Sequence, residues 1–210
     1  PGWEDVRIAN TIEARFGGRA FLMNDANAGA LAELFFGAGR DCRHMIFCTH
    51  GTGFGAGVIA HGRLIEGATG DAGEIGHVRL QEDGPVGYGK AGSVEGFCSG
   101  GGIARWAALR GLSYASAQAV AEAAAQGDEA ARTLLADSGT RLGQALAILV
   151  DLFNPERIVL GSLYARCGER LEAPMRAALA REALPRNARA CRIVASELGE
   201  RLPDLATLAL

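Results

Sequence analysis

The first helix of the chain is marked by the spacing of its apolar residues. Between residues 6 and 16, apolar side chains return every three or four positions, which predicts an amphipathic helix, and the pair Gly17-Gly18 provides a stop signal. Residues 20–23 then form an apolar run of strand length that ends at Asn24-Asp25. Residues 26–36 return to helical composition. The pattern therefore predicts a helix, a strand, a loop and a second helix.

Three further apolar runs predict neighbouring strands. They cover residues 45–48, 57–60 and 63–65, and short turns separate them, which favours an antiparallel or mixed sheet. The first of these turns is the glycine-rich segment of residues 51–55. Residues 66–98 are also rich in glycine but do not repeat, which is typical of a folded functional loop region.

Helical patterns fill most of the second half of the chain. Residues 99–153 are alanine-rich, with breaks near residues 111–113 and at Gly127. Asp128 is placed to cap a long helix, which Asn154-Pro155 ends.

The remaining pattern alternates between strand and helix. Residues 157–160 and 193–195 predict strands, and residues 163–181 between them predict a helix that Pro174 is expected to break. Together these elements predict an α/β fold, with a mixed sheet and flanking helices.

The amino-acid composition indicates which kinds of ligand or partner the chain is suited to bind. The chain has 210 residues, of which 49% are hydrophobic, so it can bury a substantial core. No apolar stretch approaches the roughly 20 residues needed to cross a bilayer, so we expect no membrane span. A net charge of -3 offers no basic field for nucleic acid. Small-molecule chemistry is therefore favoured over a membrane or nucleic-acid partner.

The cysteines indicate a reducing compartment. They are odd in number and irregular in spacing, and no apolar signal segment precedes them. We expect reduced thiols in a cytoplasmic protein, most of them small buried side chains, and assign them no metal site. The five are Cys42, Cys48, Cys98, Cys167 and Cys191.

The segment Asn24-Asp25-Ala26-Asn27 stands where a predicted strand hands over to a helix. Side chains at this position commonly face a ligand in open α/β sheets, which makes Asp25 a candidate general base. The alternative is that Asn24 or Asp25 only caps the helix.

The glycine-rich segment after the first sheet strand suits phosphate. Gly51, Gly53 and Gly55 let backbone N–H groups approach an anion closely, and Thr52 adds a hydroxyl. A hairpin turn that needs glycine for its geometry alone would have a similar sequence.

Two carboxylates and one imidazole suggest a polar pocket. Glu74 and His77 lie three residues apart, and Glu95 follows beyond a glycine-rich stretch. Together they suit recognition of sugar hydroxyls. The alternatives are a structural histidine and an exposed carboxylate at a helix start.

These three segments, in this order and at this spacing, resemble the ROK family of sugar kinases and sugar-responsive repressors. The family pattern runs N-D-A-N-A, then G-T-G-x-G-x-G, then A-G-E-x-G-H. The resemblance begins at Pro1-Gly2-Trp3 and reaches residues 154–161, so it covers nearly the whole chain. It implies a ribonuclease H-like, actin-like ATPase fold. Residues 1–36 would be the remnant of an incomplete N-terminal small lobe, and residues 37–210 the C-terminal large lobe with the sugar pocket and a helical region.

The resemblance also implies a reaction, which is ATP-dependent phosphorylation of a hexose or hexose derivative, with Mg²⁺ and at the 6-hydroxyl. Asn24 would bind sugar hydroxyls and Asp25 would act as general base on the acceptor hydroxyl. The other implied positions are Glu74, His77 and Glu95 for the sugar, Gly51, Thr52, Gly53 and Gly55 for the phosphates of ATP, and Gly161 near the nucleoside.

The chain departs from the family at a zinc-binding run, C-x-C-G-x-x-G-C-x-E. Val86, Tyr88 and Ser93 stand at the three cysteine positions. Since valine cannot bind zinc and the other two are poor ligands, we expect no structural zinc. Packing by Val86 and Tyr88 is expected to order the loop instead.

The family's D-x-G-G-T phosphate segment has no counterpart in the sequence, which leads us to expect it upstream of Pro1; the alternative is a degenerate relative. Two other functions compete with the kinase: a sugar-sensing regulator and a non-catalytic sugar-binding relic. The family resemblance further suggests a homodimer, with residues 116–153 at the interface.

Overall fold

The central sheet forms from apolar runs that the sequence pattern marks as strands. The computed structural model describes residues 6–209, so Pro1-Gly2-Trp3, where the resemblance begins, lies outside the described residues. The strands of this part are β1 Met45–His50, β2 Phe54–Ala60, β3 Arg63–Leu64, β4 Val86–Gly87, β5 Lys90–Ala91, β6 Arg157–Leu160 and β7 Arg192–Ala195.

Helices account for most of the remaining chain. They are α1 Ile8–Phe16, α2 Asp25–Phe36, α3 Val94–Cys98, α4 Gly100–Leu109, α5 Ala117–Ala125, α6 Glu129–Phe153, α7 Ser162–Glu182, α8 Pro185–Ala190 and α9 Leu202–Leu208. Short 3₁₀ turns cover Ile75–His77 and Gly199–Arg201. None of the helices within residues 6–209 combines the length and the apolar character needed to cross a bilayer.

Five strands form one mixed sheet in the order β3-β2-β1-β6-β7. β1, β2 and β3 pair antiparallel, whereas β1, β6 and β7 run parallel. β4 and β5 form a separate antiparallel hairpin. The predicted mixed sheet with flanking helices is therefore confirmed.

The side chains of the sheet alternate between two cores. In β1, Met45 and Phe47 face the core that α2 covers, while Ile46 and Cys48 face a larger core beneath α6 and α7. This alternation follows from the two-residue period of a strand. The sheet is thus buried on both faces, and its polar strand ends are left at the edge.

Side-chain caps set the helix starts as the sequence indicates. Asp128 accepts from the N–H of Ala131 at 3.1 Å, and α6 ends at Asn154, which adopts a left-handed conformation at φ 45°. Ser93, Ser99 and Ser116 cap α3, α4 and α5 in the same manner.

Two predictions about local structure are wrong. Residues 20–23 do not form a strand, because no described strand lies beside them, and Phe21 and Leu22 are 63% and 60% exposed. Pro174 does not break α7. The proline lies against Gly139 of α6, and packing along α6 outweighs the backbone hydrogen bond that a proline removes.

The predicted division of the chain at residue 36 stays a prediction. α2 precedes that boundary and packs directly on β1 and β2, which follow it.

Candidate active site

A cleft of about 730 Å³ opens at the sheet edge where α2 begins. It brings together most of the residues that the sequence singles out, from four separate segments. The predicted residues that line it are Asn24, Asp25, Gly51, Thr52, Gly53, Gly55, Glu74, His77 and Glu95.

Asn24 is the cap of α2, and Asp25 is its first residue. The Oδ1 atom of Asn24 accepts from the N–H groups of Ala26 and Asn27, at 2.9 and 3.2 Å, so the capping role is real. Asp25 is exposed to the cleft, and its carboxylate has no hydrogen-bond partner among residues 6–209. The capping interpretation therefore explains Asn24 but leaves Asp25 available to a ligand.

The position of α2 depends on a glycine in the sheet. A Cβ atom at Gly57 of β2 would overlap the carbonyl oxygen of Ala26 and would lie 2.7 Å from the Cβ atom of Ala30. The absence of a side chain lets the first turn of α2 lie directly on the strand. The close approach at Gly57 thereby fixes the position of Asp25 relative to β2.

Glu74 and His77 reach the cleft from a segment attached to β2. Gly73 has φ 102°, and its carbonyl accepts from the N–H of Ala56 at 3.1 Å. A side chain at Gly73 would collide with the carbonyl oxygen of Ala56, so glycine is required there. Glu74 and His77 remain exposed at the cleft wall.

Glu95 connects the cleft wall that carries Glu74 and His77 to the glycine turn, which is residues 51–53 between β1 and β2. Its Oε2 atom accepts from the N–H of Phe54 at 3.2 Å. A Cβ atom on Gly53 would lie 3.0 Å from that same oxygen. The first turn of α3 therefore places this carboxylate against the residue that closes the turn.

The glycine turn is shorter than the sequence suggests, because β1 extends to His50 and β2 begins at Phe54. Its carbonyls are held by the start of α4: Gly100 N–H donates to Gly51 at 2.7 Å, and Gly101 N–H donates to Thr52 at 3.2 Å. The N–H groups of Thr52 and Gly53 find no acceptor among the described residues. This arrangement suits an anion such as phosphate.

A second cleft of about 720 Å³ lies on the other side of the turn and shares Gly51 and Thr52 with the first. Small side chains of α4 and α5 form much of its wall, and Arg166 and Arg170 of α7 reach it from one side. It therefore offers apolar surface next to positive charge.

Gly161 lines neither cleft. It is buried at the N-cap of α7, and its N–H donates to the carbonyl of Cys48 at 2.9 Å. The next residue, Ser162, donates through Oγ to the carbonyl of His50 at 3.4 Å, and Leu163 lines the second cleft. The structure thus places Gly161, which was predicted to lie near the nucleoside, two residues from a wall residue of the second cleft but not in its wall.

His50 was not singled out by the sequence, yet it lies buried directly beneath the turn. Its Nε2 atom lies 2.9 Å from the carbonyl of Cys98, while no partner for Nδ1 exists among the described residues. Burial lowers the pKa of His50 to about 4, although the bond to Cys98 opposes that shift. The ring is therefore neutral near pH 7, and Nε2 donates because a carbonyl can only accept.

Three residues with polar side chains line the first cleft but were not among the predicted site residues. Thr49 accepts through Oγ1 from the N–H of Gly55 at 3.0 Å, Asp71 accepts from the hydroxyl of Thr69 at 2.7 Å, and Tyr88 faces His77. Thr49 could have been found from its place next to the glycine turn. Asp71 carries no local sequence signal, and Tyr88 was expected only to help order its loop.

The segment at the family's zinc-binding positions is a two-stranded hairpin. Packing by Val86 and Tyr88 does not order it, because these side chains are 45% and 85% exposed, and that prediction is wrong. Hydrogen bonds hold it instead: Ser93 caps α3, and Lys90 Nζ donates to the carbonyl of His77 at 2.8 Å. No cluster of three or more His, Cys, Asp or Glu side chains suited to a metal occurs in residues 6–209.

Comparison with known proteins gives a family match over nearly the whole chain. A family model described as the ROK family matches residues 1–209. A glucokinase from Thermotoga maritima is 34% identical over 95% of this chain and 68% of its own length.

Solved structures include both enzymes and regulators. A ROK family transcriptional regulator, a homologue of the E. coli Mlc protein, is 27% identical with a TM-score of 0.85, over 96% of this chain and 54% of its own. A ROK family glucokinase from Streptomyces griseus, in complex with glucose and AMPPNP, is 31% identical with a TM-score of 0.79. The match covers 94% of this chain and 70% of the glucokinase. The chain thus spans between 54% and 70% of the lengths of these three proteins. The likenesses confirm the predicted sugar-kinase type of fold.

Proposed function

Because this chain belongs to the ROK family, we propose that it transfers the γ-phosphoryl group of ATP to a hydroxyl of a hexose or hexose derivative. The observation that carries the proposal is the position of Asp25. Its carboxylate lies in one cleft with Glu74, His77 and Glu95, next to a turn in which the N–H groups of Thr52 and Gly53 have no acceptor among residues 6–209.

The sugar would occupy the first cleft. Glu74, His77 and Glu95 supply acceptors and a donor for hydroxyl groups, and Asn24 adds its amide. Asp25 would accept the proton of the attacking hydroxyl as the phosphoryl group is transferred. We take this acceptor to be the 6-hydroxyl, since it is the primary and least hindered hydroxyl of a hexose.

ATP would occupy the second cleft and reach the first across the glycine turn. The alanine and glycine wall suits the nucleoside, with Gly161 behind it, and the N–H groups of Thr52 and Gly53 suit the phosphates. The glucokinase of known structure from Streptomyces griseus, which contains glucose and AMPPNP, supports two ligands in one fold.

Mg²⁺ would neutralise charge on the phosphate oxygens when ATP is bound. Such an ion is commonly held by the phosphates together with one or two carboxylates, so a dedicated cluster of protein ligands is not needed. This chain's own contribution is to position the sugar, accept its proton at Asp25 and orient the turn amides.

A sugar-sensing regulator is the second candidate. It is supported by the likeness to a ROK family transcriptional regulator, whose TM-score is 0.85. The first cleft would bind sugar in either case. Turnover of ATP in the presence of sugar separates the two functions.

The remaining expectations are also proposals. We propose a homodimer and note that Leu152 and Phe153, at the end of α6, are 72% and 40% exposed. We propose a cytoplasmic site of action, which the five free cysteines support.

The test is an ADP-release assay with MgATP and a panel of D-glucose, N-acetyl-D-glucosamine, N-acetyl-D-mannosamine and D-xylose. It is run on this chain and on the full-length natural protein, with calorimetric titration of the same sugars. Sugar-dependent ADP release supports the kinase. Sugar binding without ADP release in either preparation would refute the kinase and favour the regulator.

A further inference from the structure

We propose that Tyr88 contacts the bound sugar and contributes to substrate affinity, with its aromatic ring covering the apolar face of the pyranose. This inference rests on the proposed function, because it concerns the sugar in the first cleft. Tyr88 lines that cleft together with Asp25, Glu74 and His77.

The backbone places Tyr88 at the tip of a firmly seated hairpin. Val86 pairs with Ala91 and Gly87 with Lys90, which leaves Tyr88 and Gly89 as a two-residue turn. The base of the hairpin lies on the first turn of α3, where a side chain at Gly87 would overlap the N–H of Gly96. Because α3 also carries Glu95, the tip is fixed relative to a residue of the sugar pocket.

Further contacts hold the hairpin to the segment of His77 and to α4. Lys90 Nζ donates to the carbonyl of His77 at 2.8 Å, and Arg105 Nε donates to the carbonyl of Val86 at 2.7 Å. The rings of His77 and Tyr88 meet edge to face, with their centroids 5.9 Å apart and their planes at 75°. The imidazole and the phenol ring thus form adjoining walls.

Folding alone gives no reason for a tyrosine at this position. The side chain is 85% exposed, so it adds little to the core. Tyr88 has φ 44° and Gly89 has φ 77°, a pair of positive angles that a two-residue hairpin turn fills best with Asn-Gly. A bulky residue in this conformation is unfavourable and is often found where it serves a ligand.

The chemistry of the ring fits a sugar. One face of a pyranose with equatorial hydroxyls presents a patch of C–H groups, and aromatic rings bind such patches while the hydroxyl edges bind carboxylates and imidazole. Ligand pockets commonly combine aromatic walls with a few polar groups in this way. Tyr88 supplies an apolar aromatic face next to the polar groups of Glu74, His77 and Glu95.

The experiment compares Tyr88→Asn and Tyr88→Phe by calorimetric titration of D-glucose, or of whichever sugar of the panel binds the wild type best. Asn favours the turn, so Tyr88→Asn should have an unchanged or higher Tm. We expect it to bind sugar about 5- to 10-fold more weakly. Tyr88→Phe keeps the ring and should lose at most about twofold. In the full-length natural protein, Tyr88→Asn should raise the KM for sugar with little change in the KM for ATP.

Leu109→Asn is the matched control, because Leu109 is 66% exposed and lines neither cleft. Wild-type affinity in Tyr88→Asn would overturn the inference and leave the proposed function standing. An equal loss in Tyr88→Phe and Tyr88→Asn would overturn the stacking contact. Failure of the wild type to bind any sugar would overturn both proposals.

Discussion

His50 donates a hydrogen bond from Nε2 to the backbone carbonyl of Cys98 across 2.9 Å, from a ring that is 1% exposed. This bond joins the end of β1 to the end of α3. The next two residues of the chain, Gly51 and Thr52, accept from Gly100 and Gly101 at the start of α4. Three successive residues therefore fasten the turn to the junction of α3 and α4.

The buried imidazole predicts a pH dependence of stability. The pKa of His50 is lowered from 6.5 to about 4 in the folded protein, so the unfolded chain binds a proton between these values and the folded protein does not. The free energy of unfolding should therefore fall as the pH drops from about 6.5 to 4, by at most about 3 kcal/mol from this group. Urea unfolding at pH 7, 6, 5 and 4 measures it.

His50→Leu separates this contribution from that of the carboxylates. It leaves the Cys98 carbonyl without its donor, so the variant should be less stable at pH 7 by about 1–3 kcal/mol. Its loss of stability between pH 6.5 and 4 should be smaller than that of the wild type. His61→Asn, at an exposed position with φ 54°, is the control and should keep the wild-type pH dependence. If the free energy of unfolding falls equally with pH in wild type and in His50→Leu, His50 is not the source of the pH dependence.

Asp25→Asn should remove most turnover while sugar affinity stays within a few-fold of wild type. The amide keeps the size of the carboxylate but cannot accept the hydroxyl proton, and a general base contributes about 10²- to 10⁴-fold in rate. Steady-state kinetics and sugar titration on the full-length natural protein measure the two quantities. Asp41→Asn, at an exposed aspartate that lines neither cleft, is the matched control. Near-normal turnover in Asp25→Asn would rule out Asp25 as the general base.

Gly57→Ala should lower both stability and turnover. Its methyl group would press on Ala26 and Ala30 and push the start of α2 away from the sheet, at a cost of about 1–3 kcal/mol. Gly168→Ala in α7 meets only ordinary contacts, the nearest at 3.6 Å, and should raise stability by about 0.5–1 kcal/mol. Thermal unfolding compares the two variants. A Gly57→Ala protein as stable as wild type would show that α2 is not held by this approach.

Purified protein should contain no stoichiometric zinc. The hairpin offers Val86, Tyr88 and Ser93 at the zinc-ligand positions of the family pattern, and its own hydrogen bonds hold it. Elemental analysis measures the metal content directly. A chelator should leave the Tm unchanged, whereas one zinc per chain, or a Tm lowered by the chelator, would contradict the prediction.

Local signals in the sequence were sufficient for much of the fold. Asp128 and Asn154 mark the ends of α6 because a cap acts on its own helix, and the alternation in β1 reflects burial on two faces. Pro174 was misjudged because its outcome depends on α6, which is distant in sequence. Residues 20–23 were misjudged because a strand needs a neighbour as well as an apolar pattern.

In the candidate site, too, the residues that depend on distant segments could not be predicted from the sequence. Asn24, Glu74 and the glycine turn stand out because each belongs to a short ordered motif. His50 and Tyr88 do not, since their partners Cys98 and His77 come from other segments of the chain. The exposure of Tyr88 and the burial of His50 could be learned only from the folded protein.

Gly51 and Thr52 are shared by both clefts, so the partition between them is a single stretch of backbone. A ligand that shifts this backbone on one side changes the shape available on the other. For the sugar and nucleotide of the proposed function, thermodynamic linkage then requires reciprocity: the factor by which sugar changes the affinity for nucleotide equals the factor by which nucleotide changes the affinity for sugar. The hydrogen bonds from α4 to the carbonyls of Gly51 and Thr52 restrain this stretch, so any such coupling must act against them.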